Sequence, residues 1–401
     1  MEARCEGHRG EAVDAEKGLP SGGNDTASLW YIHGVTGRDA LRFMLVVWGM
    51  GCVGGRSAAS QEAAVPTPSV EAPAAVGEAS FEVGPVQLNE ATRLKVPVAA
   101  SWVAVDGERK PVAYTVLRRT GDEGFGQLHD ASMVPLSGDG ALCNEQDFNS
   151  ILDVEGVPYL VSHFECTPGA MTVSELSRTD DGSLAVVRSM PVDFAPVGGL
   201  WNPCAGQVTP WNTHLGSEEY EPDARAEPTP DQYWPHRAWT GMKRYQAAPL
   251  DPYRYGWIPE VTLAADGSST VRKHLAPGRA SHEIAYVLPD QRTVYLSDDG
   301  TAVGFYLFVA DTPGDLSAGH LYAARYQQEG AELGVRWIPL GHASDAVLQE
   351  QLDRGLSFED LWVVTEPSGG ACSDGFTFVR HHYGEECLAL AAPSEARHSS
   401  P

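Results

Sequence analysis

Basic residues are scarce: the 401-residue chain carries 28 Lys and Arg against 54 Asp and Glu, a formal charge of −26. A phosphate backbone is gripped by clustered Lys and Arg, so this deficit argues against a nucleic-acid binder and against docking on anionic lipid. It suits a solvated surface, or sites that collect cations. Long hydrophobic runs are lacking as well. The apolar stretch Phe43–Gly51 is too short to span a bilayer as a helix. With 42 Gly and 28 Pro the chain is punctuated by turns, which excludes a bundle of long helices. Helices are expected only over 344–352 and, as a short turn, over 357–361. No exact internal repeat is found. The apolar fraction of 42% is nevertheless ample for a buried core.

The N-terminal part does not read as folded. Residues 1–37 are polar and Gly-rich without a period. Arg38–Arg42 then precedes the apolar run and Cys52, the basic, apolar and small-residue order of an export signal. A buried strand in an N-terminal extension is the alternative. Cys52 is a candidate lipid anchor, although Gly49 stands where such cleavage sites usually have Leu or Val. The expected division is an extension and export signal over 1–52, a disordered linker over 53–84 rich in Ala, Pro, Ser and Glu, a folded domain over 85–390 and a disordered tail over 391–401. The expected location is outside the cytoplasm: periplasm, cell surface or medium. Cysteine spacing agrees. Cys143 and Cys166 are 23 apart, Cys372 and Cys387 are 15 apart, and both spacings suit disulfides in an exported protein. Cys204 is left over and calls for a reason.

From about residue 92, short β-type runs alternate with turns: 93–98, 101–105, 111–117, 157–164, 171–176, 184–188, 261–265, 269–273, 293–297, 304–309, 320–326 and 335–340. Asp180-Asp-Gly182, Asp266-Gly267 and Asp298-Asp-Gly300 are hairpin signals. An all-β fold follows, either a propeller or a sandwich. Several acidic residues stand at strand ends: Glu165, Glu218, Glu219, Glu283, Asp298 and Asp299. If such ends converge, their carboxylates repel unless a cation neutralises them. Oxygen ligands suit calcium, and a thiolate among them calls for a softer metal such as iron or zinc. Taken singly, each of these acids is more simply a solvated turn residue, and Cys204 a buried thiol.

The stretch Trp201-Asn-Pro-Cys204-Ala-Gly-Gln-Val-Thr209-Pro-Trp211, followed by Glu218-Glu219, resembles the signature of PhoX-type alkaline phosphatases. In that family a Cys-x-Gly-x-x-Thr-Pro-Trp segment leads to Glu-Glu. Other segments resemble the family in the same order: Arg254-Tyr-Gly-Trp257, Arg279-Ala-Ser-His282-Glu283, Thr293-Val-Tyr-Leu-Ser-Asp298-Asp299-Gly and Gly319-His-Leu-Tyr-Ala-Ala-Arg325. Arg119-Thr-Gly-Asp122 and Cys143-Asn-Glu-Gln-Asp147-Phe are similar to a subgroup. The likeness runs from about 85 to about 390. It implies a β-propeller, hydrolysis of small phosphate monoesters outside the cytoplasm, and an iron and calcium cofactor. Carried over by position, Cys204 would be the thiolate iron ligand. Glu283 would be an iron or calcium ligand, and Glu218 or Glu219 a calcium ligand. Asp298, Asp299 and Glu165 are further metal candidates. Cys204 and Glu283 are thus the expected catalytic centre of a monomer.

The resemblance breaks at Ala391. Family members continue further and supply later blades, another Glu ligand and an Arg that grips phosphate. The expectation is therefore an incomplete propeller lacking its C-terminal blades, with reduced phosphatase activity. The alternative is a non-catalytic, calcium-binding propeller fragment; the ordered motifs disfavour a sandwich adhesion module.

Overall fold

Alternating apolar residues bounded by Gly and Asp turns build antiparallel ladders, and strands dominate the chain. The computed structural model describes residues 81–85, 100–105, 107–111, 115–180, 182–225, 227–246, 249–300, 303–330, 332–381 and 384–391. The export signal, Cys52, nearly all of the linker, the strand expected at 93–98 and the tail after Ala391 lie outside these residues. Strand β1 (Phe81–Pro85) begins just before the boundary expected at 85 and pairs with β2 (Ala100–Val105), which pairs with β3 (Glu108–Pro111). β3 ends at Pro111, and Thr115–Leu117 is not in a strand, because its backbone finds no ladder partner there.

The second sheet is a four-stranded meander of β4 (Gln146–Val154), β5 (Val157–Phe164), β6 (Ala170–Arg178) and β7 (Leu184–Pro191). The third holds β8 (Gln207–Val208), β9 (His214–Leu215), β10 (Ile258–Leu263) and β11 (Ser269–His274), again in sequence order. The fourth has five strands: β12 (His282–Val287), β13 (Thr293–Asp298), β14 (Phe305–Thr312), β15 (Asp315–Glu329) and β16 (Glu332–Ser344). The last sheet orders β17 (Trp362–Thr365), β19 (Gly384–Leu390) and β18 (Thr377–His381). The expected Asp-Gly hairpins join β6 to β7 and β10 to β11, and β13 pairs with β14 after Asp298-Asp-Gly300.

The first strands of the middle three sheets abut: β4 packs on β8, and β8 on β12. The sheets stack face to face through apolar layers. Leu152, Tyr159, Val161, Met171 and Val173 meet Val261 and Leu263; Leu215, Ile258 and Ala276 meet Ala285, Val294, Leu296 and Phe308. β4 and β13 alternate inward and outward positions, whereas β5 and β10 are buried on both faces. The fold is all-β with few helices.

Two helices form close to where the sequence places them. α2 (Asp345–Asp353) is capped by Ser344, and α3 (Phe358–Leu361) has a Ser357/Asp360 capping box. The helix α1 (Tyr233–Tyr245) corrects the expectation that only those two exist. It buries Ala238, Trp239, Met242 and Tyr245 against Trp201 and Tyr255. Pro235 sits in its first turn, where the missing N–H breaks no helical bond. The spacing 238, 242, 245 is helical, but the aromatic and proline content around it masks the signal. Both expected disulfides are present, Cys143–Cys166 and Cys372–Cys387, with Cα atoms 6.2 and 5.6 Å apart. Cys204 is a free, buried thiol.

Candidate metal centre

The abutting ends of β4, β8 and β12 bring together side chains from distant parts of the chain. Cys204 precedes β8 on an irregular segment, and its N–H donates to the Ser217 carbonyl at 3.1 Å. The fully buried Ser217 hydroxyl reaches the carbonyls of Ala205 at 2.6 Å and Glu283 at 2.8 Å. Ser217 thereby clamps the Cys204 segment to the start of β12. The Cys204 Sγ lies 3.3 Å from Glu283 Oε2. Asn202, held with φ at +34°, donates from one Nδ2 to Glu165 at 3.2 Å and to Glu219 at 3.4 Å. Tyr220 donates to Asp299.

Two groups of ligand atoms result, each within 4.8 Å of one another: Glu165, Cys204 and Glu219, and Glu219, Glu283 and Asp299. Glu219 belongs to both. Asp147 at the start of β4 stands beside the Cys204 thiol. The Cys143-Asn-Glu-Gln-Asp147 segment assigns it no role by itself; β4 abutting β8 is what delivers it.

Electrostatics in this cluster oppose the charged forms of Glu165, Glu219, Glu283, Asp147 and Cys204. Burial, then Glu165, Glu283 and Asp299, push Glu219 up to about 9. Burial raises Glu165, Glu283 and Asp147 above the ordinary carboxylate range. Burial, reinforced by Glu219, Asp147 and Glu283, drives the Cys204 thiol far above its usual value. A buried thiol among carboxylates is stable as a charged set only beside a multivalent cation. The donor set therefore fits metal ions, with the thiol side suited to a softer ion and the carboxylate side to a hard one.

Behind Cys204 lies a buried relay. His163 bonds the Cys204 carbonyl through Nδ1, His163 Nε2 faces His214 Nε2 at 2.5 Å, and His214 Nδ1 meets Ser150 Oγ at 2.6 Å. The carbonyl can only accept, so His163 Nδ1 carries a proton. Burial lowers His163 to about 4 and His214 well below its ordinary value, so both rings are neutral. His163 Nε2 then accepts, His214 Nε2 donates, and Ser150 donates to His214 Nδ1. This directed chain orients the backbone that carries the thiol. Gly206, the glycine of the Cys-x-Gly segment, lets the layers close: a Cβ there would lie 2.5 Å from the Leu215 carbonyl and 3.2 Å from His163. The Thr-Pro-Trp part is the β8–β9 turn, where the Thr213 hydroxyl and Trp211 Nε1 donate to Glu260 at 2.5 and 2.7 Å.

A family model described as alkaline phosphatase PhoX matches residues 170–370. The chain belongs to that family. The PhoX match spans Cys204, Glu219, Glu283 and Asp299, while Asp147 and Glu165 precede it. No curated protein matches the chain.

Not every residue carried over from the PhoX signature joins the cluster. Glu218 is fully buried with its carboxylate already satisfied. Its Oε1 accepts from Trp201 N at 2.9 Å and lies 2.7 Å from Lys273 Nζ; its Oε2 accepts from Gly256 N at 3.0 Å and Trp257 N at 3.1 Å. Gly256 has φ +90°, and a Cβ there would meet Glu221 Cβ at 2.7 Å, so glycine is required for this approach. Glu218 is therefore an anchor of the Tyr-Gly-Trp segment, separate from the ligand set. Asp298 accepts from Gly304 N at 3.1 Å, and burial raises it to about 6. It too stands outside both groups. Arg279 donates to the carbonyls of Tyr255, Pro222 and Pro252, at 2.8, 2.6 and 3.2 Å, so its guanidinium is committed to the backbone.

Proposed function

We propose that the chain is an exported phosphomonoesterase whose metals are iron on the Cys204 side and calcium on the carboxylate side. The observation that carries this reading is the pair of ligand groups sharing Glu219, only one of which contains a thiol. In it Cys204, Glu165 and Glu219 would hold iron, and Glu219, Glu283 and Asp299 would hold calcium, with Asp147 beside the thiol. Bound metals would supply Lewis-acid charge to phosphoryl oxygens. The chain's own residues prepare the site. Cys204 surrenders its proton on metal binding. Ser217 keeps Cys204 and Glu283 in register. Asn202 donates to both Glu165 and Glu219 and orients the two carboxylates. Tyr220 fixes the Asp299 carboxylate.

The substrates in this reading are small phosphate monoesters, as the family's activity implies. A propeller arrangement is supported by the abutting first strands β4, β8 and β12, and export by the disulfides. Because Arg279 is spent on backbone carbonyls, we propose weak turnover. A second reading, calcium binding without hydrolysis, is favoured by that same lack of a phosphate-gripping guanidinium at Arg279.

The test is hydrolysis of a chromogenic phosphate monoester by the full chain loaded with iron and calcium. The expected result is chelator-sensitive turnover that falls roughly 10²–10³-fold in Cys204→Ala, the cost of losing one electrostatic element of a site. Calcium uptake without turnover would favour the second reading. Absence of metal uptake together with absence of turnover would overturn both.

A further inference from the structure

We propose that Asp311, His320 and His342 form a second, independent site for one divalent transition ion of the zinc, nickel or copper class. They sit on the solvent side of the fourth sheet, on β14, β15 and β16. Register brings them there. His320 pairs with Val309 on one side and directly with His342 on the other, and Asp311 is two residues along from Val309. The alternate positions Phe308, Ala310, Leu321 and Ala343 are buried, so the three polar side chains share the outer face.

One oxygen and two ring nitrogens lie within 4.8 Å of one another. His342 Nε2 is 2.8 Å from Asp311 Oδ2, and the two imidazoles meet edge to face at 4.7 Å between centroids. No described residue hydrogen-bonds a ring nitrogen of His320. Zinc bonds of about 2.0–2.2 Å require a spacing of roughly 3.3 Å between tetrahedral ligands, so rotation of exposed side chains by around an ångström closes the site. Two imidazoles with one carboxylate select borderline ions over calcium. The backbone beneath is stiff: Arg292 donates to the carbonyls of Ala310 and Asp311, at 2.9 and 2.8 Å. Rigid strands make such a site preorganised, and the fourth position stays open to water or a ligand from outside. The site shares no residue with the Cys204 cluster, and it stands whether or not that cluster is catalytic.

The test is zinc titration calorimetry on the full chain carrying Cys204→Ser, which removes the thiol of the other centre. One zinc equivalent should bind. His320→Gln and His342→Gln, added separately, should each weaken that binding at least about tenfold, the range expected for losing even an outer partner of a metal ligand. Both substitutions are at exposed positions, and unchanged far-ultraviolet dichroism confirms the fold. Zinc affinity unaltered by either substitution, or no zinc bound by the folded Cys204→Ser protein, would overturn the site. Should Cys204→Ser fail to fold, the same two substitutions are read in the parent chain. Loss of one zinc equivalent then supports the site, and an unchanged number overturns it.

Discussion

Glu219 is the residue on which the candidate centre turns, because it is common to both ligand groups. Its carboxyl is pushed up to about 9, by burial first and then by its acidic neighbours. The sign follows. An acid whose folded pKa exceeds its ordinary value of 4.5 costs stability progressively as pH rises from 4.5 toward 9. In metal-free protein, Glu219→Gln should therefore melt close to the parent at pH 5 and above it at pH 9. With metals bound the order should reverse, since the residue common to both ligand groups is gone. Differential scanning calorimetry with and without chelator checks both halves, and a parent that outlasts the variant at pH 9 without metal sinks the argument. His163 acts differently, through the Cys204 carbonyl. His163→Phe deprives that carbonyl and His214 of partners, an expected loss of about 1–3 kcal/mol for each buried group left unsatisfied. Urea unfolding measures it.

Strands and turns around the centre are tied by two buried ionic contacts. Lys273 on β11 pairs with Glu218 at 2.7 Å, and both are almost wholly enclosed. Glu218→Ala strands the Lys273 charge and three backbone amides, and an expected loss of about 3–5 kcal/mol should appear in chemical denaturation. The second contact joins β10 and β11 to α2. His274 Nε2 is 2.7 Å from Glu260, and its Nδ1 is 3.4 Å from Asp345, an ion-pair distance rather than a hydrogen bond. Burial pulls His274 down, but Asp345 and Glu260 outweigh it and raise the ring above 6.5. Burial likewise opposes ionised Glu260, yet His274, Thr213 and Trp211 hold it near 2. The His274 contribution is thus full below pH 6.5 and fades as pH rises through the higher folded value; the Glu260 contribution is full above 4.5 and fades as pH falls toward 2. Thermal melts of the metal-free chain should show this contact strongest between about 4.5 and 6.5. His274→Gln should remove most of the pH dependence on the alkaline side of that window, and an unchanged profile counts against a charged His274.

Across the whole molecule, a net charge of −26 and a convergence of buried acids make cations part of the folding balance. A ligand that binds only the folded state adds about 2.7 kcal/mol at a hundred times its dissociation constant. Calcium with iron should therefore raise the melting temperature, and chelation should reverse the gain. A melting temperature indifferent to both would contradict an assembled centre. The disulfides staple two separate parts of the described fold, one flanking β4 and β5 and one in the last sheet. Cys372–Cys387 closes 15 residues of separation and pins β19 to the loop before β18. Closing a loop of that length is worth about 3 kcal/mol. Reduction should thus loosen 377–390 first in hydrogen exchange, ahead of the middle sheets.

Residue order alone determined the β character, the family signature, both cysteine pairs and the special standing of Cys204 beside Glu283. These signals are local or ordered along the chain: hairpin dipeptides, pair spacings and motifs in sequence. It also singled out Glu165, Glu219 and Asp299, because each stands at or just beyond a strand end. Only the tertiary structure decided between neighbours. Glu218 and Glu219 are adjacent and chemically alike, so nothing in their order says which one faces the cluster. Lys273 and the amides of Gly256 and Trp257, all distant in sequence, capture the first and leave the second to the centre. Asp147, the His163–His214–Ser150 relay and the Asp311–His320–His342 group were illegible for the same reason. Each exists only where separate strands meet in one register, and a side chain's partners are set by that meeting, through burial and unpaired hydrogen-bonding groups that must be satisfied.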